Sequence, residues 1–225
     1  MLPDAKSDWR KNMRRSSSKS KVVPIVGGSR KKDMTGQDLL ISTLGNAFIS
    51  EAGIHEEFPE LVYPKDRYSQ ITVADIIGAL KNDRLVVSEP PHGKMRLPHL
   101  FEMAGQKLNF PNQREEDLLR SRSIILDYRN IEETLGLSLE EQVTATPGAL
   151  LSAPELYYAL LVHKKITGNQ LWKGNLFSRT TSTDIKGRIA VGYSHNGDII
   201  TRHFALDEEG DPVLGAVSNM KRQAV

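Results

Sequence analysis

Apolar residues recur at helical spacing along much of the chain. Leu40, Leu44, Ala47 and Phe48 follow Thr35-Gly36-Gln37-Asp38, a hydroxyl three residues ahead of an acid, and predict a helix over 35–53. The segment 55–70 begins with acids, carries Pro59 and Pro64, and reads as a loop. Thr72 is placed to cap a second helix, with Val73, Ile76, Ile77 and Leu80 on one face and Lys81-Asn82-Asp83 closing it. Further helices are expected over 100–106 and from Asn112 onward, the latter carrying Leu118, Leu119, Ile125 and Leu126. Ser138 with Glu141, and Ser152 with Glu155, match the capping box. The second of these starts a helix ending near Lys165 that buries Leu156, Leu160 and Leu161.

Elsewhere the period shortens. Arg84-Leu85-Val86-Val87 reads as a strand, Glu89-Pro90-Pro91-His92-Gly93 as a turn, and 95–97 as the returning strand. A helix followed by strand, turn and strand is the layout of a winged helix's last elements. Residues 168–183 are polar and read as loop. Near the C-terminus, Arg188-Ile189-Ala190-Val191-Gly192-Tyr193 and Asp198-Ile199-Ile200-Thr201-Arg202-His203-Phe204 are strand-like. Asn196-Gly197 between them predicts a hairpin with a type I′ turn, where both central residues take positive φ. A third strand is expected over 213–217. The fold class expected is α+β: a mostly helical body with a C-terminal antiparallel β-hairpin or small sheet, preceded by a disordered basic arm. The arm occupies 1–33, and 34–225 form a single globular domain.

Composition narrows the chemistry. The chain has no cysteine, so disulfides, thiolate metal sites and cysteine nucleophiles are excluded. No apolar run approaches the roughly 20 residues of a membrane span, and the N-terminus lacks an apolar signal core. An intracellular protein of cytoplasm or nucleus is expected, membrane-associated or in a virion, and not secreted.

The net charge of +2 conceals an asymmetry. Residues 1–33 hold ten lysines and arginines against three aspartates, a net +7; the remainder holds 20 basic and 25 acidic side chains, a net −5. The ten cations are Lys6, Arg10, Lys11, Arg14, Arg15, Lys19, Lys21, Arg30, Lys31 and Lys32. Such segregation points to a polyanionic partner, either an anionic membrane or nucleic acid. Ser16, Ser17 and Ser18 follow Arg14-Arg15 and match a basophilic kinase target. Two phosphates there would cancel about half of the arm's charge, at roughly −1.5 to −2 each. Trp9 sits among the cations, where it suits base stacking or a membrane interface, or docks back on the body.

Other chemistries find no support. The six histidines lack metal-ligand spacing, although His195 and His203 are placed to face each other across the predicted hairpin. Asp207, Glu208, Glu209 and Asp211 do not match a calcium loop, and Gly27-Gly28-Ser29-Arg30-Lys31-Lys32 lacks the spacing of a phosphate-binding loop. There is no G-x-S-x-G elbow and no pair of carboxylates set for acid–base work. No cofactor, no metal and no enzymatic activity are expected.

In layout the chain resembles matrix proteins of negative-strand RNA viruses, with a basic arm ahead of an α/β body. Val23-Pro24-Ile25-Val26 also resembles a budding motif of the F-P-I-V kind, with Val23 where that family has Phe. Neither P-P-x-Y nor P-[ST]-A-P is present; Ser152-Ala153-Pro154 lacks the leading proline and is expected at a helix start. The resemblance implies a structural protein that self-associates and coats a nucleocapsid or membrane, and it carries over only to the arm's cations. The alternative is a winged-helix-like nucleic-acid-binding protein in replication or regulation. In that case Lys164, Lys165, Lys173, Arg179, Lys186 and Arg188 would extend the basic surface.

Overall fold

Thr72, Ser138 and Ser152 each cap a helix that opens at the next residue, in reciprocal capping boxes with Asp75, Glu141 and Glu155. They belong to a computed structural model that describes residues 43–61, 72–82, 84–88, 90, 95–106, 119, 123–146, 148–204 and 210–220. All of these lie in Met34–Val225, the second of two units into which the chain divides. The arm with its Val23-Pro24-Ile25-Val26 segment and the Thr35–Asp38 signature therefore lie outside the described residues, as does the acidic stretch 207–209.

The helices are α1 (Glu51–Glu57), α2 (Val73–Lys81), α3 (Leu97–Met103), α4 (Asn130–Glu133), α5 (Leu139–Ala145) and α6 (Ala153–Thr167). The strands are β1 (Phe48–Ile49), β2 (Leu85–Val87), β3 (Ile124–Asp127), β4 (Ala149–Leu150), β5 (Phe177–Asp184), β6 (Gly187–Tyr193), β7 (Ile199–Phe204), β8 (Leu214–Ala216) and β9 (Ser218–Asn219). They form a five-stranded sheet in the order β1-β2-β3-β9-β4 and a four-stranded sheet in the order β7-β6-β5-β8. The pairs β1–β2 and β5–β8 are parallel; the others are antiparallel. The class is α+β.

Helix α6 organises the core. Its first eleven residues, Ala153 through His163, are all buried, so it is enclosed on every side, not amphipathic. Around it one continuous cluster gathers Ile49, Leu85, Val87, Ile124 and Leu126 from the larger sheet. The same cluster takes in Ile189, Val191, Tyr193 and Ile199 from the smaller one. The alternate residues Val86 and Ile125 point the other way, into a second cluster with Phe48, Ile76 and Ala79. Both faces of the larger sheet are thus apolar, and β2 and β3 are buried at every position.

Several expectations fail for identifiable reasons. The helix over 35–53 does not continue to its expected end. Gly45 adopts φ +51, a short 3-10 turn follows at Gly45–Ala47, and Phe48–Ile49 pair with β2. A new helix starts after Ser50, whose hydroxyl accepts from the Gly53 amide, so residues 55–57 are helical. In α2 the buried residues are Ile76 and Ala79, while Ile77 and Leu80 are exposed. The returning strand over 95–97 is absent: Met95 makes a single bridge to Leu119, and Leu97 begins α3. β2 pairs instead with β1 and β3, so the winged-helix arrangement is not formed there. Ile125 and Leu126 lie in strand β3, not in a helix begun at Asn112.

The polar stretch 168–183 contains the central strand β5. The polar side chains Ser178, Thr180 and Ser182 are buried there because the sheet and the neighbouring loops satisfy them. The Ser178 hydroxyl accepts from the Val217 amide at 3.0 Å, Thr180 donates to the Ile189 carbonyl, and Ser182 accepts from the Ala153 amide at 2.9 Å. The hairpin between β6 and β7 forms, but with the five-residue connection 194–198, in which Gly197 has positive φ (+84) and Asn196 does not. The third strand, β8, joins β5 in parallel instead of continuing the meander from β7. Buried Gln142 ties α5 to it, donating to the Thr134 and Leu214 carbonyls at 3.0 and 2.8 Å.

Candidate functional site

The residues singled out for polyanion binding, Lys6 through Lys32, and the serines Ser16, Ser17 and Ser18 lie outside the described residues, as does Trp9. The body cations can be placed. Lys165, Lys173 and Lys186 are exposed. Lys164, at the end of α6, donates to the Gly197 carbonyl at 2.7 Å and lies 3.9 Å from an Asp198 oxygen, so its charge is partly engaged. Arg179 is 1% exposed on the central strand β5 and offers nothing to a surface partner. Arg188 donates to the Thr180 carbonyl at 2.8 Å, and burial draws its pKa down from the ordinary guanidinium value. The expected extension of a basic surface over these six residues is therefore corrected. Strand pairing turns Arg179 inward and ties Arg188 to its neighbour.

A depression of about 230 Å³ lies where α6, the end of α3 and β7 meet, lined by Ala104, Gln106, Leu161, Lys164, Lys165 and Ile199. Below it the Tyr157 hydroxyl donates to Gln106 Oε1 at 3.2 Å, and the Tyr157 ring stacks on Phe101 at 4.5 Å. Burial raises the Tyr157 pKa far above the usual phenol value, with the Asp198 charge adding to it, so the group stays a neutral hydroxyl. The depression joins an apolar base to two ammonium groups and an amide. It contains neither a nucleophile next to a base nor a pair of carboxylates, and it is smaller than the roughly 300–1,000 Å³ of typical small-molecule pockets.

The histidines are dispersed. His195 and His203 do not face each other: His195 Nδ1 meets the Asn175 amide at 3.1 Å, while His203 Nε2 lies 2.6 Å from Asp184 Oδ2. Register explains this, since His203 is paired with Ile189 and His195 lies in the connection beyond β6. His163 is buried on α6, and desolvation lowers its pKa, partly opposed by the Asn169 backbone. Among the described residues, no group of three or more His, Cys, Asp or Glu side chains is arranged to hold a metal ion. None of the described helices is long and apolar enough to cross a membrane.

No protein-family model, no curated protein and no solved structure matches the chain.

One feature of the body escaped the sequence reading. The β5–β6 hairpin ends in Asp184-Ile185-Lys186-Gly187, with Asp184 paired to Gly187 and Ile185 82% exposed. Aspartate at the first position and glycine at the fourth is the signature of a type I turn, and it was legible in the sequence. The polar composition of 168–183, which reads as loop, hides the strand β5 that leads into it.

Proposed function

We propose that this protein is a non-enzymatic structural protein whose basic N-terminal arm binds a phosphate-bearing surface while its body mediates assembly, in the manner of a viral matrix protein. The observation that carries this reading is the separation of charge, +7 over residues 1–33 against −5 over the rest. Lysine and arginine that meet phosphates release condensed counterions, which gives affinity without sequence selectivity and with a steep salt dependence. Near an anionic bilayer each such cation contributes about 1 kcal/mol. The body supports the same division of labour, because half of its six candidate cations are turned inward or engaged by neighbours. The arm is left as the main carrier of positive charge.

The test sets flotation on phosphatidylserine vesicles beside a gel shift with single-stranded RNA and duplex DNA, each at low and physiological salt. The chain is compared with a form lacking residues 2–33. Loss of more than tenfold in affinity and of most of the salt dependence on deletion is the expected result. Binding that survives deletion unchanged would overturn the reading.

A further inference from the structure

We propose that Arg84 and Arg129, both held on the Asp127 carboxylate, form a clamp for a backbone phosphate of single-stranded nucleic acid. This rests on the reading above and names nucleic acid as the phosphate-bearing surface that the protein meets.

The clamp is built where β2 begins and β3 ends. Leu85 is paired with Leu126, so Arg84 and Asp127 stand opposite each other one step further along the two strands. Arg84 Nε lies 2.9 Å from Asp127 Oδ2, and Arg129 Nε lies 3.6 Å from Oδ1 of the same carboxylate. The Asp127 side chain is 4% exposed. A carboxylate enclosed to that degree needs a cation beside it, and one guanidinium fork could serve both its oxygens. Here there are two, and each turns only its Nε to a single oxygen. The carboxylate therefore balances one of the two positive charges. Among the described residues, the Nη groups of both arginines are left without a hydrogen-bond partner. Arg129 keeps to Asp127 even though Glu132 and Glu133 follow on the first turn of α4.

The unspent donors point to phosphate. The guanidinium fork matches the spacing of phosphate oxygens and is weakly hydrated, so it gives up water readily to an oxyanion. Exposure selects the form in which that phosphate arrives. The Arg84 side chain is 14% exposed and the Arg129 side chain 46%, so one donor is recessed and the other open. Gly78 of α2 neighbours Arg84 Nη1 and has no side chain to close over it. A planar bilayer meets what projects from a protein, whereas a flexible single strand can turn one phosphate into a recess. The open plane of Arg129 also suits an adjoining base, since bases stack on guanidinium.

The experiment follows the gel shift of single-stranded RNA by the full chain at several salt concentrations, comparing the parent with Arg129→Gln and Arg129→Lys. Expected for Arg129→Gln is about a fivefold loss of affinity, with the logarithmic salt slope flattened by about 0.7, the share of one single-strand phosphate. Arg129→Lys should keep the slope and lose about twofold, because an ammonium meets phosphate as a point charge. An ion triad that is merely structural would move the urea midpoint and leave the slope at the parent's value. Should Arg129→Gln fold poorly, the parent alone supplies the reading: bound RNA is expected to slow phenylglyoxal modification of Arg129, mapped by mass spectrometry. An unchanged slope and affinity in Arg129→Gln, or modification at the same rate with and without RNA, overturns the clamp and leaves the arm reading standing. Flotation of the parent on phosphatidylserine vesicles with no shift of RNA also overturns the clamp and assigns the arm to lipid. RNA binding that survives loss of residues 2–33 but falls in Arg129→Gln overturns the arm reading and keeps the clamp. If the parent binds neither, both fail together.

Discussion

A methyl group added at Gly192 would collide with the Leu176 carbonyl and stand 2.8 Å from the Phe177 Cα, both fixed backbone in the adjoining strand region. Gly192→Ala is accordingly expected to cost at least about 2 kcal/mol, read from the midpoint of urea unfolding. At His163 the consequence is pH dependence. Burial holds its folded pKa below the unfolded value, so the unfolded chain binds the proton first as pH falls. The unfolding free energy should decline as pH drops below about 6.5, and the decline should be shallower in His163→Gln, measured by denaturation at pH 5 to 7.5. Neither effect is visible from residue type: Gly192 reads as an ordinary strand glycine, and His163 as one more residue of a helix.

Among the elements, the capping boxes invite a graded comparison. Ser152 opens α6, whose first three turns touch both sheets, whereas Thr72 opens α2, which packs on one face of one sheet. Ser152→Ala is expected to cost about 1–2 kcal/mol and Thr72→Ala about half of that, compared by urea denaturation. These signals were legible because they are local: hydroxyl, acid and the amides they satisfy lie within four residues. The helix α6, the strand β2 and the β6–β7 hairpin were legible for the same reason. Strand β5 was not, because Ser178, Thr180 and Ser182 look like loop residues until the distant partners of their hydroxyls are known. Strand β3 was misread because Ile124 through Asp127 are buried on both faces and show no alternation. Of the candidate site, the separation of charge is wholly a property of the sequence. The burial of Arg179 and the engagement of Arg188 arise only from strand pairing.

For the molecule as a whole, β8 and β9 decide whether the two sheets are one structure. Residues 214–216 flank β5 at the border of the smaller sheet, and two residues later 218–219 stand between β3 and the edge strand β4 of the larger. The Asn219 side chain accepts from the Ile125 amide at 3.2 Å, and Met220 donates its amide to the Ile125 carbonyl at 3.0 Å. A chain ended after Asp211 should leave β4 without its partner and open a gap beside β3. It is expected to lose near-UV circular dichroism and cooperative thermal unfolding, and finding both intact would show that the sheets close without these strands.

That placement also governs how the protein can be made. During vectorial synthesis the nascent chain delivers β1 through β7 well before the six residues that stitch the two sheets together. The larger sheet must wait with a slot open in its interior until translation has passed residue 219 and that stretch has cleared the ribosomal tunnel. A ribosome stalled before residue 219 would present an incomplete sheet to whatever chaperones attend it.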